Sequence, residues 1–281
     1  MDVAVVTGAT GGMGRWIALG LAKEGYHVVL VGRNPSRAEA AALWIKTLLP
    51  QCSIEVVVAD LSLIGVTRDA GRTILSKHAK MRVLINNAGI FDTTRVLTIE
   101  GRERVLATNL LCPILLSAVL LPALRAGAPS RIINIGSSTS DNATLNPQQL
   151  ELGSRWTMTR AYSQSKLALM MATFAFARRL EGSGVTASVV HPGLVATSLV
   201  RAGGVIGLVW RYLARFALTE QQGADTPLRA ALSSQFERIN GAYIKDRRCV
   251  KPNLQALDEA QLELVWTATE QLTGHLEIDA V

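Results

Sequence analysis

Residues 7–14 read Thr7-Gly8-Ala9-Thr10-Gly11-Gly12-Met13-Gly14. The stretch follows a valine-rich apolar run, Val3-Ala4-Val5-Val6, and opens a segment with helical spacing of apolar residues from 12 to 24. Glycines at such a point let the backbone turn sharply and let a ligand approach the main chain closely. The helix start adds free N–H groups and a positive dipole end. Any tight strand-to-helix turn favours glycine, but between this strand and this helix the pattern predicts a pyrophosphate cradle of Gly8, Thr10, Gly11, Gly12, Met13 and Gly14.

The rest of the chain repeats the same alternation. Apolar runs at 3–7, 27–31, 54–58, 82–86, 131–135 and 185–190, with a weaker one at 242–245, read as strands. They are continuous rather than alternating, which marks strands buried on both faces. Helical patterns lie near 12–24, 36–49, 64–78, 98–124 and 160–181. Strand and helix in turn predict an α/β fold of the Rossmann type, a doubly wound parallel sheet of about seven strands with helices on both faces. Residues 1–281 are expected to form a single domain. The polar stretch 141–158 reads as a loop or short-helix insertion, and 194–225 as a loop followed by an amphipathic helix.

Composition narrows the function. The chain is 49% hydrophobic and 18% charged, which suits one packed core and argues against disorder. The net charge of +7 is scattered along the chain rather than gathered on one element with aromatics, so nucleic acid is not expected as a partner. Three cysteines, Cys52, Cys112 and Cys249, give an odd count without metal-like spacing and suit a reducing compartment. Met1-Asp2 leads straight into the first strand without a basic leader, so a cytoplasmic location is expected. The most apolar stretch, 105–124, contains Asn109, Pro113 and Pro122 and reads as a buried core helix rather than a membrane span.

After the second strand come Gly32-Arg33-Asn34. An NAD site usually places an acid there for the ribose hydroxyls, whereas an arginine accommodates a 2′-phosphate. Arg33, with Asn34 beside it and Arg15 as a helper, therefore favours NADP(H) over NAD(H); a solvated loop arginine is the plain alternative. Asp60-Leu61, after the third strand, are placed to meet the adenine, although Asp60 could equally cap the next helix.

Tyr162-Ser163-Gln164-Ser165-Lys166 puts a phenol and an ammonium one helical turn apart. A free tyrosine titrates near pH ~10, and a charge at about 4 Å with an effective dielectric near 20 contributes roughly 4 kcal/mol, about three pKa units. A phenol tuned in this way is a workable general acid/base. Taken alone, the pair is equally an ordinary helix contact.

Several motifs together narrow the reading. Thr7-Gly8 through Gly14, Asn86-Asn87-Ala88-Gly89, Asn109, Ser137-Ser138, Tyr162 to Lys166 and His191-Pro192-Gly193 resemble the short-chain dehydrogenase/reductase family in the family's own order. The resemblance spans about 3–200 and runs more loosely to about 245. It implies an NADP(H)-dependent oxidoreductase acting on a ketone, aldehyde or alcohol. Tyr162 would exchange the proton at the substrate oxygen. Lys166 would lower the tyrosine pKa and bind the nicotinamide ribose. Ser138, preferred over its neighbour Ser137, would polarise the carbonyl, and Asn109 would hold a relay water. Asn87, Ala88 and Gly89 would line the cofactor, and Pro192, Gly193, Val195 and Thr197 would pass beneath the nicotinamide. His191 is expected to satisfy a backbone group.

The gap between Ser138 and Tyr162 is longer than in most of that family and resembles its retinol-dehydrogenase-like branch. The insertion at 141–158 then offers Leu152, Trp156 and Met158 to a substrate. The apolar residues from Val205 to Phe216 suggest a lid and hence a lipophilic substrate. With Arg201, Arg211 and Arg215 nearby, the same segment could instead lie on a membrane surface. A non-redox lyase or epimerase, or a cofactor-binding regulator, are the competing functions on this fold. The helices at 105–124 and 162–180 could pair with copies of themselves in a homodimer or homotetramer, or be covered within the chain.

Overall fold

The valine-rich run Val3–Thr7 forms β1, and its side chains divide between two cores. Val5 packs into one apolar cluster, while Ala4 and Val6 pack into another on the opposite face, as the two-residue period of a strand requires. The computed structural model describes residues 1–195, 217–276 and 278; Thr197 and the stretch 205–216 of the expected lid lie outside them.

Beside β1 stand β2 (His27–Gly32), β3 (Ser53–Val58), β4 (Val83–Asn86), β5 (Ser130–Ile135), β6 (Val185–His191), β7 (Ala242–Lys245) and β8 (Arg248–Val250). They form one sheet in the order β3-β2-β1-β4-β5-β6-β7-β8. All neighbours are parallel except β7 and β8. The order reverses between β1 and β4, which opens a crevice at the carboxyl ends of those strands. The sheet has one strand more than expected. β8 returns from β7 through Asp246 and Arg247, both with positive φ (49° and 62°), a tight turn without the usual glycine or asparagine signal.

Helices α1 (Gly12–Lys23) and α2 (Pro35–Leu48) cover one face. On the other lie α3 (Ile64–Lys77), α4 (Arg104–Leu106), α5 (Cys112–Val119), α6 (Leu121–Ala126) and α7 (Met158–Arg179). The apolar stretch expected as one helix over 98–124 is therefore a chain of short ones. Glu103 starts it by accepting from the N–H groups of Val105 and Leu106 at 3.1 and 2.8 Å. Pro113 and Pro122 each stand in the first turn of a new segment, where a missing N–H does little harm. Between α4 and α5, Ala107–Leu111 form a π-turn.

Further along the described residues stand α8 (Glu220–Gly223), α9 (Asp225–Leu232) and α10 (Glu259–Thr273). On α10, Trp266 stacks near Phe176 of α7, with ring centroids 5.5 Å apart, and the Arg179 guanidinium sits 4.6 Å over the same indole. Leu167 through Ala177 are thus buried within the single chain, covered by its own carboxyl-terminal helix. The 105–124 stretch is likewise almost wholly buried within the chain. Among the described residues, no helix is long and apolar enough to cross a membrane.

Candidate active site

The glycine stretch turns at the end of β1 as the sequence predicts. Gly8 has φ +64°, a left-handed conformation that glycine adopts without strain, and a Cβ there would meet Ala88 Cα at 2.9 Å. Gly14 is a closer approach still, since a Cβ would strike the Gly8 carbonyl and the Asn87 amide. Asn87 Nδ2 donates to the carbonyls of Thr7 (2.9 Å) and Gly8 (3.2 Å), and the Ala88 N–H donates to Thr7 Oγ1 at 3.0 Å. The Asn87-Ala88 turn after β4 therefore clamps the glycine turn after β1. Asn86 points the other way, into the core, where Nδ2 donates to Asn134 Oδ1 at 2.8 Å.

The adenosine side of the crevice is defined by the end of β2. Thr10 fills the space a side chain on Gly32 would need. Arg33 and Asn34 are exposed on the rim, and Asn34 caps α2 by accepting from the Arg37 N–H at 2.9 Å. Arg37 is a residue the sequence reading passes over. One helical turn beyond Arg33, its Nη2 lies 3.1 Å from where a Gly11 Cβ would be, so a second guanidinium leans over the glycine turn. Arg15, the suggested helper, is engaged elsewhere. It pairs with Glu220 at 3.3 Å and stacks over the Trp44 ring at 4.9 Å. Asp60 does not cap the next helix either. Its Oδ1 accepts from Ser62 N and Oγ at 3.0 and 2.8 Å, while α3 is capped by Glu100 on the N–H groups of Ile64 and Gly65. Leu61 beside it is buried.

At the far end of the crevice, α7 presents Tyr162 and Lys166. The Lys166 Nζ is buried, donates to the Ile135 carbonyl at 2.8 Å and lies 5.9 Å from the Tyr162 ring centroid. Burial pushes its pKa down to about 8, so it stays mostly protonated at neutral pH. Burial raises the Tyr162 hydroxyl above the ordinary phenol value, and the neighbouring Ser137 side chain opposes this. The lowering expected from sequence does not dominate here: burial is the largest influence on the phenol and raises its pKa. Phe91 closes the other side of Tyr162 in an edge contact, with centroids 5.0 Å apart.

The serine beside Tyr162 is Ser137, not Ser138. Backbone remains extended through Ser137 (φ −153°, ψ 146°), which carries its hydroxyl toward α7. Ser138 begins a short 3-10 turn and is exposed. Spacing alone does not distinguish two adjacent serines; the point where the extended backbone ends does.

Asn109 is fully buried in the π-turn, and its amide is committed. Nδ2 donates to the Ile90 carbonyl and to Ser165 Oγ, both at 3.0 Å, and Oδ1 accepts from the Ile90 N–H at 2.9 Å. The side chain ties the loop after β4 to α7. A Cβ on Gly89 would lie 3.4 Å from Asn109 Oδ1 and 3.5 Å from Lys166 Nζ, so the bare glycine backbone passes close over both.

Beyond β6, Gly193 turns with φ +91° against Leu218, and Leu218 N–H donates to the Leu194 carbonyl at 2.7 Å. Val195 is buried beside Gly223 and pairs with Leu218. Pro192 precedes this turn on the same rim. His191 Nδ1 is buried without a hydrogen-bond partner, and burial holds its pKa down to about 4. Leu152 is buried with Val105 and Ala161, with Trp156 packed against them, so it belongs to a small core rather than to the open mouth.

The crevice fits a dinucleotide. Its glycines leave backbone exposed where side chains would intrude, guanidinium groups stand at one end, and a phenol, a hydroxyl and an ammonium meet at the other. The family profile described as short chain dehydrogenase matches residues 2–203. Human retinol dehydrogenase 12 is 33% identical over 272 residues, covering 97% of this chain and 86% of the relative. Human retinol dehydrogenase 11 is 35% identical over 277 residues, covering 99% and 87%. Among solved structures, a short chain dehydrogenase from Burkholderia cenocepacia J2315 in complex with NADP superposes with a TM-score of 0.71 at 25% identity, over 87% of this chain and 95% of that one. Glycine cradle, Tyr162–Lys166 pair and matched profile agree: the chain belongs to the short-chain dehydrogenase family of oxidoreductases.

Proposed function

We propose that the chain is an NADP(H)-dependent oxidoreductase that interconverts a carbonyl and an alcohol on a lipophilic substrate. The observation that carries this reading is the Tyr162 hydroxyl, facing the Ser137 side chain and stationed beside Lys166 at the carboxyl rim of the sheet. Gly8 to Gly14, Asn87, Ala88 and Gly89 would hold the cofactor, which when bound supplies the hydride. In reduction, Tyr162 gives its proton to the carbonyl oxygen, and Ser137 donates a hydrogen bond to the same oxygen as negative charge develops there. Lys166 holds a positive charge near the phenol and so stabilises its deprotonated form. Asn109, through Ile90 and Ser165, fixes the loop and helix that carry these groups. The edge of Phe91 and the names of the retinol dehydrogenase relatives support an apolar substrate of the retinoid class.

The test is turnover of all-trans-retinal, followed by loss of NADPH absorbance. Replacing Ser137 by alanine should lower kcat about 100-fold, the magnitude of losing one oxyanion donor, while Ser138→Ala should change it by less than about threefold. The reverse pattern would return the role to Ser138.

NADP(H) preference rests on Arg33 and Arg37 together. A charged hydrogen bond to a phosphate is worth about 1.5–3 kcal/mol. The double variant Arg33→Ala/Arg37→Ala should thus lose at least about 10-fold in kcat/KM for NADPH and change by less than about threefold for NADH. Equal losses with both cofactors would refute the preference.

A further inference from the structure

The sheet corner opposite the nucleotide crevice carries a second cluster of chemistry-bearing side chains. His27 and Ser53 are the first residues of β2 and β3 and pair across the strands; Glu55 follows on the same face, and His78 ends α3. The His78 Nε2 lies 2.9 Å from Glu55 Oε2, and the His27 Nε2 faces that same oxygen at 3.6 Å. All three ligand atoms lie within 4.8 Å of one another. Lys77 occupies the other oxygen, Oε1, at 2.7 Å.

An ion pair accounts for His78, Lys77 and Glu55. His27 is held more loosely: its Nε2 is enclosed, stands 3.6 Å from the carboxylate and makes no hydrogen bond. Its Nδ1 lies 2.7 Å from Ser53 Oγ. With Nδ1–H donating to that hydroxyl, the Nε2 lone pair is turned into the cluster. A metal-binding imidazole is commonly oriented in this way, with the far nitrogen fixed by a neighbouring acceptor.

We propose that His27, Glu55 and His78 form a zinc site. Bonds of about 2.0–2.2 Å in a tetrahedral arrangement put ligand atoms roughly 3.3–3.5 Å apart. The two separations to Glu55 Oε2 bracket that range, and the ligand atoms all lie within 4.8 Å of one another, so the site closes on an ion with side-chain movements of about an ångström. Two imidazoles and one carboxylate suit zinc rather than calcium or magnesium, which favour all-oxygen shells. The partial exposure of all three residues leaves a fourth position for water. Since the ligands come from β2, β3 and the end of α3, the ion would staple the adenosine half of the sheet, well away from Tyr162.

The test uses the full chain, stripped with chelator and carrying Cys52→Ser and Cys249→Ser to remove accessible thiols. Cys112 can stay, because burial pushes its thiol pKa up to about 12. Zinc chloride titrated by calorimetry should bind one ion per chain, and zinc should raise Tm. His27→Gln or His78→Gln should weaken binding at least about 100-fold and Ser53→Ala about 10-fold, whereas Lys77→Ala should not weaken it. The chain has only four histidines, so imidazole NMR provides a readout without further substitution. Zinc should shift His27 and His78 and leave His191 and His275 in place. Absence of binding at roughly 100 µM zinc, binding untouched by both histidine substitutions, or shifts at the other two histidines would each overturn the assignment.

Discussion

Replacing Tyr162 by phenylalanine is expected to lower kcat for retinal reduction by about 10³-fold, while NADPH affinity stays within about threefold. The change removes one oxygen and keeps the ring, so the edge contact with Phe91 and the helical position of Lys166 persist. What disappears is the hydroxyl facing Ser137 that the proposed mechanism uses as the proton donor. A loss confined to KM would mean that Tyr162 only binds substrate. Parallel measurement of NADPH binding by fluorescence separates that case from a collapsed crevice.

The second large effect has opposite signs in two assays. Lys166→Met should reduce turnover at least about 100-fold, because the charge that stabilises the deprotonated phenol is gone. Yet the cofactor-free protein should become more stable at pH 7. A lysine whose pKa falls to about 8 on folding destabilises the native state below that pH. The folded pKa lies below the unfolded one, so between them the unfolded chain binds more protons and wild-type stability rises with pH. Over the whole window the gain is about 3 kcal/mol at 1.36 kcal/mol per unit. Methionine fills a similar volume without a charge but leaves the Ile135 carbonyl unpaired, which costs about 1–2 kcal/mol. The net expectation at pH 7 is a variant more stable by about 1–2 kcal/mol, and this advantage should shrink by about 2 kcal/mol between pH 7 and 9.5. Chemical denaturation at several pH values checks it. A variant less stable than wild type at pH 7 would mean that the ammonium is stabilised in place by more than the Ile135 carbonyl.

Much of this was legible because it is local. Strands at 3–7 and 242–245 coincide with the observed β1 and β7, since buried parallel strands need continuous apolar runs. Tyr162 and Lys166 share a face because four residues make one turn of α7. Features set by distant parts of the chain were not legible. Arg15 is taken from the phosphate end by Glu220, and α3 is capped by Glu100 from the loop after β4. The carboxyl-terminal helix α10, capped by Asp258, packs over α7 from far along the chain, a placement that no local pattern announces. Ser137 and Ser138 differ only in where extended backbone gives way to a turn, a distinction finer than any spacing rule. Phe91 carries no motif; only its edge against Tyr162 marks it.

The most direct test of the central claim is a single turnover of retinal with NADPH deuterated on the transferred side of nicotinamide C4. Deuterium should appear on the carbinol carbon of the product, with a primary isotope effect that survives, on a far slower reaction, in Tyr162→Phe. Product free of deuterium, or a Tyr162→Phe enzyme as fast as the wild type, would contradict hydride transfer assisted by this phenol.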